Sequence, residues 1–237
     1  MTRRRWIADE FSDERAALTG AHAAHLSRTL RARIGQEFEV ACGDVVRFGT
    51  VASVSDERVE FELGEEVSAT AAAPISLLLA VFKFDRMEWA IEKCTELNVT
   101  SIVPVIARRT EKHLCQAADK RVERWRRIAR EASEQARRVA PPEIGDPVKL
   151  TAALELSAEF RIVLAEAERK AQLIDVLRER PGLQSLALAI GPEGGWTAEE
   201  LQQFEQTGWI AASQGAMILR AETAAIAALA VARAEIG

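Results

Sequence analysis

The alternation of apolar and polar positions changes its period once along the 237-residue chain, near residue 70. Between Glu37 and Leu63 the period is two. Phe38 and Val40 alternate with their neighbours, Val51, Ser53 and Val54 do so less cleanly, and Val59, Phe61 and Leu63 do so strictly, the pattern of strands with one buried face. Turn residues divide this stretch into "EFEVACGD", "VVRFGTVASVSDE" and "RVEFEL", so residues 1–70 are expected to form a small β-barrel domain. Beyond the spacer "GEEVSATAAAP", continuous apolar runs alternate with helical stretches. Residues 75–81, "ISLLLAV", read as a strand covered on both faces, and Asp85 stands where it can cap the helix that follows. In that helix Met87, Ala90, Ile91, Cys94 and Leu97 form one apolar stripe, opposite Glu88, Glu92 and Glu96. The pattern further predicts strands at 102–106, 160–164, 185–191 and 209–212. It places a basic helix over 119–139, ended by Pro141-Pro142, helices near 172–178 and after Thr197, and a last helix. Repeated strand–helix–strand order makes residues 74–237 an α/β domain with a mostly parallel sheet, and ligands bind such sheets beyond the carboxyl ends of the strands. The final helix, "AETAAIAALAVARAEIG", is apolar on nearly every side, so the core, a second subunit or both must cover it.

Composition narrows the class. Hydrophobic residues at 48 % and charged residues at 28 % are ordinary for a soluble globular protein, and no window reaches the roughly eighteen apolar residues a membrane span needs. "MTRRRWIADEF" carries no apolar segment behind its charges, so a cytoplasmic protein is expected. Cys42, Cys94 and Cys115 are odd in number and dispersed, which suits neither a disulfide framework nor paired zinc ligands. His22 and His25 have no further ligand nearby in sequence, so no metal is expected. The net charge of −5 is unevenly spread: residues 1–33 hold seven arginines against four acids, 34–72 two against nine, and 108–138 eleven basic residues against five acidic. Two basic stretches on an acidic chain point to an anionic ligand such as nucleic acid, beside the plainer reading of "KRVERWRRIAREASEQARR" as a solvated helix face.

Residues 190–196, "IGPEGGW", break the strand expected at 185–191 where a parallel sheet binds its ligands. They match neither the Walker phosphate loop nor the dinucleotide fingerprint. A tight turn accounts for Pro192, Gly194 and Gly195 but leaves Glu193, whose carboxylate repels phosphate; a pocket for a flat or polar small molecule is expected. In "SQGAMILRAETAAIAAL", Arg220, Glu222 and Thr223 stand where the last helix begins, either as a capping cluster or as part of the same site.

In this order, "KFDRMEWAIEKCTELNVTSIVPVIARRT", "RWRRIAREASEQARR", "IGPEGGWTAEE" and "ILRAETA" resemble the bacterial ribosomal RNA small subunit methyltransferase E family, within the SPOUT superfamily. "AHLSRTLRARIGQEFEVACGD" is similar to that family's N-terminal PUA-like barrel, so the resemblance spans nearly the whole chain. It implies an S-adenosyl-L-methionine-dependent enzyme that methylates N3 of a uridine in 16S ribosomal RNA of the small ribosomal subunit. The implied fold is α/β, with a small N-terminal PUA-like β-barrel and a C-terminal trefoil knot through which the protein forms a homodimer. The implied cofactor residues are Leu164, Ala165 and Glu166, then Ile190, Gly191, Pro192, Gly194 and Gly195, then Gly215, Ile218, Leu219 and Thr223. Arg220, Glu222 and Thr223 would border the reacting centre; Glu193 and Glu222, the carboxylates of the two special loops, are the candidates for taking the N3 proton, with Arg220 stabilising the uracil anion. RNA contacts are expected from Arg3, Arg4, Arg5, Arg28, Arg31 and Arg33 on the barrel and from Arg108, Arg109, Arg137 and Arg138 on the second domain. The chain departs from the family pattern at Asn98, where glycine is usual, at Ala136, where serine is usual, and at Met217, where arginine is common. Asparagine at 98 is compatible with a left-handed residue after a helix. Two other readings stay open at this level: a non-catalytic RNA-binding or ribosome-assembly factor on the same fold, and a related methyltransferase with another RNA target.

Overall fold

The computed structural model describes residues 5–43, 45–67, 72–166, 168 and 171–236; Arg3 and Arg4 lie outside them. The chain divides into two compact units, residues 1–71 with 133–141 and residues 72–132 with 142–237. One boundary near residue 70 is therefore not the whole division, because the chain returns once to the first unit.

In the first unit β1 (Arg5–Ile7), β2 (Glu10–Phe11), β3 (Arg15–Thr19), β4 (Glu37–Cys42), β5 (Val45–Val54) and β6 (Arg58–Val67) form one sheet in the order β1-β4-β5-β6-β3-β2. β1 runs parallel to β4, and the other pairs are antiparallel. The sheet curls on itself. The Ala8 amide donates to the Ala41 carbonyl on the β4 side, and the next amide, of Asp9, donates to the Ala17 carbonyl on the β3 side, each at 2.9 Å. Inside the curl Trp6, Leu18, Leu26, Val40, Val59 and Phe61 are sealed from solvent, with Leu26 supplied by the π-helical turn after α1 (Gly20–Ala24). The strict alternation at Val59 and Phe61 forecast this core. The strands before residue 20 had no such signal, because Ala16, Ala17 and Leu18 are buried in succession.

The second unit contains β7 (Ile75–Ala80), α2 (Phe84–Glu96), β8 (Ser101–Ile106), α3 (Lys112–Ala117), α4 (Val122–Gln135), β9 (Glu143–Ile144), β10 (Val148–Lys149), α5 (Leu150–Ala153), β11 (Phe160–Leu164), α6 (Leu173–Arg178), β12 (Leu186–Ile190), α7 (Ala198–Gln206), β13 (Ile210–Ala212) and α8 (Ala221–Ile236); the last turn of α4 falls to the first unit. Its strands are ordered β10-β8-β7-β12-β11-β13, with β9 also on β8, and every pair is parallel. All carboxyl ends therefore lie on one edge. β12 inserts between β7 and β11, so the direction of winding reverses there, and such a reversal opens a crevice at the strand ends. Each residue of β12 is buried, as a central strand covered on both faces requires.

Helix boundaries follow local chemistry. Met87, Ala90, Ile91 and Cys94 bury the apolar stripe of α2, but Lys83 is its N-cap and Asp85 sits within the first turn; Asp85 acts through the helix dipole rather than as a cap. Asn98 has φ 62°, and the amides of Asn98 and Val99 donate to the Thr95 and Cys94 carbonyls, the left-handed termination expected there. The basic helix is shorter than 119–139, because Arg137 adopts φ 58° and the amides of Arg137 and Arg138 close on the Glu134 and Ser133 carbonyls. This termination turns 133–141 into the first unit, where the Glu39 carboxylate pairs with both Arg5 and Arg137 and Val139 packs against Ile7, Ala41 and Val46. Along α8, Ala221, Glu222, Ala225, Ala228, Leu229 and Ala232 are buried, whereas Thr223 is exposed. Within the second unit only one face of the apolar helix is fully covered.

Candidate functional site

The segments following β11, β12 and β13 leave adjacent strands at the same edge. The Ala165 amide donates to the Ala212 carbonyl at 3.0 Å, and Ser213 is held on both sides, donating to Ala171 and accepting from Leu173 at 2.8 Å. Between these segments opens a cavity of about 640 Å³, within the range of small-molecule sites. Its wall contains Leu164, Ala165, Glu166, Ile190, Gly191, Pro192, Glu193, Gly194, Gly195, Gly215, Ile218, Leu219 and Arg220. The structure thus brings together almost every residue singled out as a cofactor contact.

The shape of the glycine loop depends on residues without side chains. The Gly195 amide donates to the Pro192 carbonyl at 2.8 Å, and Gly195 has φ 68°, a conformation L side chains resist. A Cβ on Gly191 would lie 3.3 Å from the Trp196 indole nitrogen, and one on Gly194 3.2 Å from Arg109 Cδ. Below, Trp196, Phe204 and Trp209 stack edge to face with centroids 5.0 and 5.2 Å apart, an arrangement favoured by the ring quadrupoles. Thr197 then caps α7: its hydroxyl accepts from the Glu200 amide, and Glu200 accepts from the Thr197 amide. The second Glu200 oxygen accepts from the Arg108 amide at 2.8 Å, tying the turn after β8 to the glycine loop. Arg109 adds to the tie by donating through Nη1 to the Gly194 carbonyl at 2.5 Å and to the Trp196 carbonyl at 3.5 Å. Beside it, the exposed Glu199 carboxyl is held below its usual range, first by its own backbone amide, then by Thr197, with Arg108 and Arg109 adding to the effect.

Two expected site residues lie elsewhere. Thr223, exposed in the first turn of α8, is not part of the cavity wall and lines a separate apolar groove with Trp89, Lys93, Glu96, Leu97, Ile226 and Ala227. Glu222 is 3 % exposed and is absent from the wall; its Oε1 lies 3.7 Å from Nε of Arg86, and Oε2 has no hydrogen-bond partner among the described residues. Arg86, which does line the cavity, was not foreseen, although it lies in the first turn after β7 and the strand-end rule reaches it. Trp196, Ser213 and Gln214 were missed as well, though each directly continues an element already named. The Ser213 hydroxyl is buried with no hydrogen-bond partner among the described residues, and Gln214 donates to the Ala224 carbonyl at 3.0 Å, holding its segment to α8.

A family model described as an RNA methyltransferase domain matches residues 70–233. The ribosomal RNA small subunit methyltransferase E of Bacillus subtilis is 30 % identical over 90 % of this chain and 87 % of its own. Its namesake from Synechocystis is 32 % identical over 94 % and 74 %. The chain belongs to the ribosomal RNA small subunit methyltransferase E family. The crystal structure of a methyltransferase E from Neisseria gonorrhoeae, bound to S-adenosyl methionine, superposes with a TM-score of 0.85 at 28 % identity, covering 96 % of this chain and 95 % of that one.

For this methyltransferase E family member the expected basic surface divides into used and available arginines. Arg5 and Arg137 are engaged with Glu39, and Arg5 also with the Arg137 carbonyl. Arg137 and Arg138 belong to the first unit, not the second, and Arg138 donates to the Ala140 carbonyl at 3.2 Å. Just before α4 Arg121 lies over the Phe84 ring, and on α4 Arg124 pairs with Glu88 at 2.7 Å and Arg126 with Asp146 at 3.0 Å. Arg28 is exposed and pairs with Asp56 at 2.7 Å, while Arg31, Arg33, Arg108 and Arg109 are exposed. Among the described residues no helix is long and apolar enough to cross a membrane.

Proposed function

We propose that the protein transfers a methyl group from S-adenosyl-L-methionine to N3 of a uridine in 16S ribosomal RNA, as a cytoplasmic enzyme. The observation that carries this reading is the cavity at the reversal point of a parallel sheet, walled by bare glycine backbone and by both family motifs. The wall fits the cofactor. Gly191 and Gly194 present bare backbone at the cavity wall, where a Cβ would crowd Trp196 or Arg109, the buried Ser213 hydroxyl has no hydrogen-bond partner among the described residues, and Glu166 offers an acceptor for hydroxyl or ammonium donors. Leu164, Ile190 and Leu219 would hold the flat apolar part and the glycine-loop backbone the polar edges. When bound, the cofactor supplies an activated methyl group for in-line displacement. The chain's task is then alignment, which can contribute roughly 7–11 kcal/mol, and management of the N3 proton, since neutral uracil holds it at pH 7.

Glu193 is the wall carboxylate on the glycine loop and takes that proton, a step worth about 10²–10⁴-fold. Arg220 and Arg86 provide the cations for charge that develops on the uracil oxygens. Glu222 holds Arg86 from behind and does not act as the base. Burying the target base in the cavity requires it to leave its stack. Arg31, Arg33, Arg108 and Arg109, with Arg28 by exchange from Asp56, grip RNA phosphates, the curled first unit acting as the PUA-like module and the second as the knotted SPOUT domain. A second copy would cover the uncovered face of α8, where Trp89 is 48 % exposed, together with Met217 and Ile218, at 79 % and 81 %. Calorimetry tests the cavity: the wild type should bind S-adenosylmethionine, Gly191→Leu should lose it, and Glu193→Gln should bind normally yet lose at least about 10²-fold in single-turnover rate. Unchanged binding in Gly191→Leu would place the cofactor elsewhere.

A further inference from the structure

Arg109 stands at a junction. It projects from the turn after β8, yet its Nη1 holds the carbonyls of Gly194 and Trp196 in the cavity wall. Glu200 fixes the same turn through the Arg108 amide while capping α7 behind the loop. Two independent ties therefore join the exposed turn to one wall of the cavity. Nε and Nη2 of Arg109 make no hydrogen bond to the described residues, and the side chain is exposed. A guanidinium carries five donors in a planar fork, so its Nε/Nη2 edge can take a phosphate bidentately while Nη1 keeps its carbonyls.

We propose that Arg109 is a positioning residue that couples the two substrates: an RNA phosphate on its outer edge stiffens the glycine loop, so RNA tightens the cofactor and the cofactor tightens RNA. The inference rests on the functional reading above. By linkage the two enhancements must be equal. A phosphate that displaced Arg109 from Gly194 would loosen the loop instead, but the free edge makes displacement unnecessary. Lysine substitutes poorly, because its three N–H groups radiate from one nitrogen and offer no planar second edge that takes a phosphate bidentately while the two carbonyls are held.

Coupling is measured by calorimetry with S-adenosylhomocysteine, which permits no turnover, with and without saturating unmethylated small-subunit ribosomal RNA. In the wild type RNA should lower the dissociation constant about 5- to 20-fold, within the usual range for coupled sites. In Arg109→Ala and Arg109→Lys both ligands should still bind separately, with Lys near wild-type RNA affinity, while the RNA-dependent enhancement falls below about 2-fold. Arg108→Ala, which leaves the loop ties intact, should weaken RNA yet keep the enhancement at saturation. An absent or negative enhancement in the wild type, or one that survives in both Arg109 variants, overturns the coupling while leaving the enzyme assignment standing. Failure of the wild type to bind either ligand alone overturns the functional reading, and the coupling with it.

Discussion

Removing the Glu200 carboxylate tests how the cavity wall is held. Glu200 is 3 % exposed, and its two oxygens accept from the Thr197 and Arg108 amides at 2.8 Å. Hydrogen bonds to charged groups contribute about 1.5–3 kcal/mol each, and loss of helix capping costs about 1 kcal/mol. Water admitted into the space left by truncation recovers part of this. Glu200→Ala should therefore destabilise the second unit by about 3 kcal/mol, or roughly 6–12 °C of midpoint at about 2–4 °C per kcal/mol for a unit this size. Glu200→Gln should be nearly as damaging, since its carbonyl oxygen satisfies one amide while its NH2 faces the other, donor against donor. Thermal and urea unfolding followed by tryptophan fluorescence reports directly, because Trp196 and Trp209 lie in the cluster beneath α7. A midpoint within 2 °C of wild type for both variants would refute the reasoning, showing that neither bond carries appreciable stability.

Other consequences follow from the same geometry. Asn98→Ala should cost about 1 kcal/mol in denaturant unfolding because alanine is strained at φ 62°, while Asn98→Gly should be neutral or stabilising; equal stability of the two variants would contradict this. Burial pushes the Cys94 thiol up to about 12, so about one in 10⁴ is thiolate at pH 8. Disulfide reagents should spare Cys94 in the folded protein and modify half-buried Cys115 first, whereas uniform labelling of all three cysteines would argue against the packing. Arg31→Ala or Arg33→Ala should each reduce the salt dependence of RNA binding by about one counterion. Arg5→Ala, which breaks the Glu39 cluster, should lower stability and leave that slope unchanged.

The order of the longer elements in the second unit was legible because buried strands and amphipathic helices carry opposite periodicities, and "IGPEGGW" could be placed at a strand end; α3, β9, β10 and α5, of two to six residues each, are too short to carry a period and were not foreseen. Residues that act through shape rather than chemistry were harder to read. Ala16, Ala17 and Leu18 are buried in succession, which erases the alternation of β3. The early end of α4 depends on an arginine in the left-handed region, a position where glycine is the usual signal. Counts of basic residues suggested RNA contacts, but pairing decides which guanidiniums are available: Arg5 and Arg137 share Glu39. At the site, motif adjacency grouped Glu222 and Thr223 with Arg220, whereas the turn of α8 sends the three side chains to different places. Arg86 and Arg109 are distant in sequence from both special loops, and only the strand order brings them to the wall.

The central claim is that this cavity moves a methyl group onto uracil. The direct measurement is to incubate the protein with isotopically methyl-labelled S-adenosylmethionine and small ribosomal subunits from cells lacking it, then locate the label by nuclease digestion and mass spectrometry. The account predicts one labelled nucleoside, 3-methyluridine in the 16S RNA, strongly reduced in Glu193→Gln. RNA of unchanged mass, or a methyl group on a ribose or another base, would contradict it.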